Sequence, residues 1–179
     1  SQLALYGRIF DASAEAILIT DADNRIVTAN PAFSAITGYT LGEVKGRNPR
    51  LLSSGRHDRQ FYERLWQTLQ RDGHWQGELW NRRKSGAVFP EWATFTVIRD
   101  EYGNITNYAA VFSDITSVKR SEEQISFLAQ HDHLTGLPNR TLLLDRLSQA
   151  LAVSERDGTS VALLLVDLDD FKTVNGSVG

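Results

Sequence analysis

Cysteine and methionine are both missing from the 179 residues. Without cysteine there is no disulfide, no thiolate nucleophile and no Cys-ligated zinc, and a cytoplasmic setting is compatible with the composition. Without methionine there is no initiator residue, so the sequence predicts a chain processed or cut from a longer one; no signal peptide is visible. No apolar stretch approaches the roughly 20 residues that a bilayer span requires. The run "ALLLV" (162–166) has the length of a buried strand instead. Neither sign of charge dominates: the net charge of −3 gives no electrostatic case for nucleic acid or an anionic membrane. What remains is an ordinary composition, 41% hydrophobic and 23% charged, long enough for one good core and part of a second.

Hydrophobic spacing divides the chain. Leu3, Leu5, Ile9 and Phe10 give residues 3–12 a short amphipathic helix pattern. "EAILITDADNRIVTAN" (15–30) reads as a β-hairpin around the turn "DADN", because aspartate and asparagine bond their own backbone in turns. Gly38, Gly42, Gly46, Pro49 and Gly55 then break residues 31–55 into short helical pieces. Phe61, Leu65 and Leu69 recur four apart, predicting a helix over 57–73 closed by Gly73. Three strands follow at 74–83, 87–99 and 105–115, joined by "KSG" and "DEYGN" turns that suit antiparallel hairpins. The sum is an α+β arrangement: a five-stranded antiparallel sheet with small helices between strands two and three.

From Asp114 the period changes. "DITSVKRSEEQISFLAQ" is helical, with Ile115, Val118, Ile125 and Ala129 on a coiled-coil-like seam that Glu122 interrupts. A second unit opens near His131 with the turn "GLPN". A helix over 139–156 carries Leu142, Leu143, Leu147 and Leu151, and an apolar strand is expected over 160–167.

The first half resembles a PAS domain with its C-terminal PAC motif. The resemblance rests on "ILITDADNRIVTANPAFSAITGYTLGEVKGRNPRLLSSG", "WQGELWNRRKSG" and "FSDIT" in that order, over residues about 5–117. It implies a sensory module whose sheet cups a cavity for flavin, haem or another small ligand, and dimerisation through flanking helices. "GRNPRLL" is similar to the flavin-contacting helix of light-sensing LOV domains. Pro49 occupies their photoreactive cysteine position, however, and Phe112 their glutamine, which excludes a flavin–cysteinyl photocycle. "W-x-G-x-x-x-N-R-R-K" resembles instead the flavin-binding PAS domains of redox sensors. Strand parity places Trp75, Gly77, Leu79 and Asn81 on one face, where a flat ring, a glycine and an amide would form a ring-binding wall. Asn48 and Arg50 would meet a phosphate or ring edge from the facing helix. The candidate cofactor is FAD or FMN; Trp75 and Leu79 suit a plain core equally well, with the cavity empty or holding an unknown ligand. His57 and His74 are the only imidazoles in this half, and both sit at loops or helix ends rather than where a haem ligand is expected.

"HDHLTGLPNR" and "VALLLVDLDDFKTVN" resemble the start of a GGDEF domain, the diguanylate cyclase fold. The resemblance implies Mg²⁺ bound by the Asp167 carboxylate and the Leu168 carbonyl, GTP contacts at Lys172 and Asn175, and a structural ion pair between Asp132 and Arg140. Gly176 stands where that family usually has aspartate. The GGDEF hairpin and its second carboxylate do not occur, so the α/β fragment is expected to be incomplete and this chain inactive alone. Apolar strand 160–167 would then lack neighbours, and residues 131–179 are expected to be unfolded, swapped or docked elsewhere. The expected organisation is a PAS sensor at 1–117, a signalling helix at 118–130 and a GGDEF fragment at 131–179. The implied function is a homodimeric sensor, paired through its N-terminal and linker helices, that regulates cyclic-di-GMP signalling in a parent diguanylate cyclase-type protein; alternatives are a flavin-binding redox sensor and, for the parent, an active cyclase.

Overall fold

A computed structural model describes residues 2–167 and 169. The chain divides into two compact units between Ser121 and Glu122. In the first, helix α1 (Gln2–Ala12) leads to strands β1 (Ala16–Asp21) and β2 (Ile26–Ala29). The "DADN" turn closes on itself: the Asp21 carboxylate accepts the backbone N–H groups of Asp23 and Arg25, and Asn24 takes a left-handed φ of 57° that asparagine tolerates. Asn30 then ends β2 and starts helix α2 (Pro31–Thr37). Its buried amide oxygen accepts from the Ile17 and Phe33 N–H groups, and its NH₂ donates to the Phe10 and Glu15 carbonyls. One asparagine thus caps a helix while joining α1 to the sheet, and Pro31 at the first helical position gives up no needed donor.

Helix α3 (Leu41–Val44) and a 3₁₀ turn (Pro49–Leu52) follow, short as the glycine and proline spacing demands. Helix α4 (Arg59–Asp72) is capped by Asp58, whose carboxylate accepts from the Phe61 N–H at 2.7 Å, and ends at Gly73 with a φ of 78°. It buries Leu65 and Leu69. Strands β3 (His74–Arg82), β4 (Val88–Arg99) and β5 (Ile105–Asp114) complete an antiparallel sheet in the order β2-β1-β5-β4-β3. The last strand therefore lies in the centre, between β1 and β4. Phe33, Val44, Leu52, Leu65, Leu79 and Phe112 form the core between the sheet and the small helices.

The free edge of β3 is covered by residues 53–57. Ser53 bridges Asn81, the Ser54 hydroxyl donates to the Trp80 carbonyl, and Arg82 donates to the Ser54 carbonyl at 2.7 Å. The Trp80 N–H donates to Nε2 of His57, whose ring stacks on Phe61 with centroids 3.9 Å apart. Accepting that N–H leaves Nε2 without a proton of its own, and desolvation and then the Arg56 charge hold the His57 pKa below its usual value.

Helix α5 (Thr116–Gln130) starts two residues ahead of the expected linker. The reason is local: the Asp114 carboxylate accepts the Thr116 N–H at 2.9 Å and its hydroxyl as well, so the helix begins as soon as the strand ends. Val118 and Ile125 of the expected seam are exposed. In the second unit, Asn139 caps helix α6 (Arg140–Asp157) through the Leu142 N–H and donates its amide to the Ala129 carbonyl.

Two expectations fail here. Residues 161–167 form no strand, and Leu164 and Leu165 are each 85% exposed. A strand exists only through its ladder, and no described segment pairs with this one. Nor does an ion pair join Asp132 to Arg140 among the described residues. The Asp132 carboxylate accepts the N–H and hydroxyl of Thr135 instead, hydrogen bonds that hold its pKa below the ordinary carboxylate range.

Candidate functional site

The concave side of the sheet, the 3₁₀ turn and α4 enclose a cavity of about 650 Å³, within the range of small-molecule sites. Its wall is mostly apolar: Leu18, Leu52, Leu65, Leu79, Trp66 and Phe112. Trp66 meets Tyr108 edge-on, their centroids 5.3 Å apart. Asn48, Arg50 and Asn81 all line it, so three of the four residues expected to contact a ligand come together. Asn48 spends its amide oxygen on the Arg50 N–H, which fixes the turn and leaves its NH₂ available. Asn48 and Arg50 also line a neighbouring recess with Arg47 and Leu51, so basic side chains border the apolar cavity on that side. Pro49 lines the cavity where the LOV resemblance puts a cysteine.

Trp75 does not line it. Its ring packs against Phe61 and Phe95 and lies over Gly77, where a Cβ would sit 2.8 Å from the ring. Parity put Trp75, Gly77 and Asn81 on one face correctly, but the space above Gly77 is filled by the tryptophan rather than offered to a ligand.

Sequence reasoning missed Glu91. It is 1% exposed and is the only acid on the cavity wall among the described residues. Oε1 accepts from Nδ2 of Asn81 at 2.9 Å, while Oε2 has no hydrogen-bond partner. Burial is the dominant influence and pushes its pKa up to about 8; Asn81 opposes the rise, Asp114 adds to it and Arg83 opposes it. The signal was present in the sequence. Phe89, Glu91, Ala93 and Phe95 alternate inward along β4, and a carboxylate at an inward position of an apolar strand is conspicuous.

Beside Glu91, Arg83 pairs with Asp114, donates to the Ile36 carbonyl and lies over the Phe89 ring. Desolvation alone would raise the Asp114 pKa, but hydrogen bonds from Thr116 and Arg83 outweigh it and hold the carboxyl below its ordinary value. Of the residues implied by the second resemblance, Asp167 lies in an exposed, unpaired stretch, while Leu168, Lys172 and Asn175 fall outside the described residues. Among the described residues no group of three acids or histidines is placed to hold a metal ion, and none of the helices is long and apolar enough to cross a membrane.

A five-stranded antiparallel sheet wrapped by short helices around an internal cavity defines the class: an α+β domain with a ligand-sized cavity. The chain belongs to the PAS domain family, whose model matches residues 14–117, and residues 129–179 match the diguanylate cyclase GGDEF domain. A nitrogen fixation regulatory protein of Klebsiella oxytoca is 37% identical over 67% of this chain and 24% of its own length. An uncharacterized signaling protein of Caulobacter vibrioides is 32% identical over the whole chain and 21% of its own length. A bifunctional diguanylate cyclase/cyclic di-GMP phosphodiesterase, MucR of Pseudomonas aeruginosa, is 50% identical over 36% of this chain and 9% of its own. The chain thus spans a quarter or less of these relatives. Among solved structures, an RNA-binding light-oxygen-voltage receptor superposes with a TM-score of 0.63 at 27% identity, covering 71% of this chain and 37% of that one.

Proposed function

We propose that residues 1–117 are a sensory PAS module binding a flavin nucleotide, FAD or FMN, and that residues 118–130 link it to a cyclic-di-GMP output unit beginning at 131. The observation that carries this reading is the apolar cavity bordered by the basic recess of Arg47, Asn48 and Arg50. A planar ring with an anionic tail matches that gradient of polarity. The buried Oε2 of Glu91, without a partner, is a further sign that the cavity is built to meet a polar ligand edge. Asn81 would meet the ring and Asn48 and Arg50 the phosphate; Trp75 would stand behind the wall. A bound flavin supplies redox chemistry, and the pocket's residues orient it and keep water away. The resemblance to a nitrogen fixation regulator and to light-oxygen-voltage receptors supports a signalling rather than a metabolic role.

The test is the absorption spectrum of freshly purified protein, repeated on the supernatant after heat denaturation. A released flavin spectrum is expected. A colourless protein that also fails to take up FMN or FAD would overturn the flavin reading.

For the output unit, Mg²⁺ at Asp167 and Leu168 and GTP at Lys172 and Asn175 remain proposals, with cyclic di-GMP as the parent's product. In the full-length parent, Asp167→Ala is expected to abolish GTP turnover. A homodimer through α1 and α5 is proposed because Leu3, Tyr6, Ile9, Val118 and Ile125 are all more than half exposed. Sedimentation of the chain as a monomer at micromolar concentration would remove that reading.

A further inference from the structure

We propose that Glu91 is the specificity-determining residue of the cavity: a neutral carboxylic acid whose O–H donates to an acceptor atom of an uncharged heteroaromatic ring. This rests on the reading of the cavity as a small-molecule site, and it assigns what the polar end of that site recognises. The geometry sets the roles of both oxygens. Oε1 accepts from Asn81, as the carbonyl oxygen of an acid does, so the proton belongs on Oε2, the atom left without a protein partner. Oε2 is closed off from solvent, so a ligand acceptor meets it when the Glu91 carboxyl turns toward the ligand, and that contact recovers the free energy a buried unpaired donor costs. Asn81 gives one N–H to Glu91 and keeps its amide oxygen as an acceptor, so the pair offers a donor and an acceptor side by side. Such a pair matches the edge of a ring bearing a carbonyl oxygen or bare nitrogen next to an N–H. It would reject a carboxylate or phosphate, which belongs at the basic recess instead.

The charged groups around Glu91 are compatible with a neutral acid. Asp114 stands opposite it in the β4–β5 ladder, Arg83 lies two residues beyond Asn81, just past the end of β3, and Arg50 lines the same cavity. Arg83 is engaged by Asp114 and Ile36, so no cation on the strands is left over to pair with Glu91.

Infrared spectroscopy of the whole chain tests this with flavin mononucleotide as the probe. A protonated-acid C=O band is expected at neutral pH. It should shift when glutamate carries heavy carbon at its side-chain carboxyl and disappear as pH rises through about 8. The other glutamates are exposed or, like Glu78, ion-paired, so the band reports Glu91 even if Glu91→Gln fails to fold. On adding flavin mononucleotide the band should move to lower frequency. A band that is present while the flavin fails to bind would leave the neutral donor supported and remove the flavin reading alone. No band at neutral pH overturns the proposal, and so does a band unmoved by flavin whose quenched fluorescence shows that it is bound.

Discussion

Arg83, just beyond the end of β3, pairs with Asp114, the last residue of β5, and the same carboxylate holds the first turn of α5 through Thr116. Both side chains are about three-quarters buried, so the pair is not an ordinary surface salt bridge. Asp114→Asn is expected to weaken both contacts and lower the unfolding free energy by roughly 1–3 kcal/mol. Arg83→Met should cost a similar amount. A double-mutant cycle by urea denaturation should return a coupling of about 1 kcal/mol; additive effects would show that Asp114 acts only as a cap.

Glu91 makes stability fall as pH rises. The unfolded chain loses this proton near 4.5, whereas the native protein keeps it to about 8. Between those values the native state holds one more proton at this site, so the Glu91 contribution to stability is fully present below 4.5 and is lost by about 8. The decline amounts to on the order of 5 kcal/mol. Glu91→Gln should flatten this part of the profile, measured as denaturation midpoints from pH 5 to 8.5. An unchanged slope would mean that the carboxyl is ionised at neutral pH.

Gly77→Ala should displace Trp75. The added Cβ would meet the far end of the indole at 2.8 Å, and a ring wedged between Phe61 and Phe95 has little room to yield. We expect a loss of roughly 1–3 kcal/mol and a changed near-ultraviolet circular dichroism spectrum. An unaltered spectrum would place Trp75 elsewhere.

Asn30→Ala removes four side-chain hydrogen bonds at once and should destabilise by roughly 3 kcal/mol. Asn30→Asp keeps both acceptor bonds but turns an oxygen toward the Phe10 and Glu15 carbonyls. That variant should regain stability on acidification, when its carboxyl acquires a proton to donate. Thermal melts at two pH values decide the point.

Much of the fold was legible because local chemistry and burial agree. Phe61, Leu65 and Leu69 mark α4, and the turn residues bounding β3, β4 and β5 place those strands to within about a residue. The sheet order was not legible, since placing β5 between β1 and β4 depends on pairings distant in sequence. Of the cavity, Asn48, Arg50 and Asn81 could be read from resemblance and parity. Trp75 could not, because parity fixes a side chain's face but not where a long ring turns along it. Glu91 is legible only position by position, because the strand formers around it on β4 mask a single inward carboxylate. Residues 161–167 mislead for the opposite reason: their apolar run has the composition of a strand, but pairing is a property of two segments.

One residue, Ile115, separates the end of β5 from the start of α5. Without a loop between them, strand and helix share a single count of residues. If β5 gave up one residue to α5, every side chain of the helix would rotate by about 100° about the helix axis. Val118 and Ile125 would leave the stripe they now occupy, and a different set would take it. A change of one step at the sheet would thus select which face of the helix a partner reads.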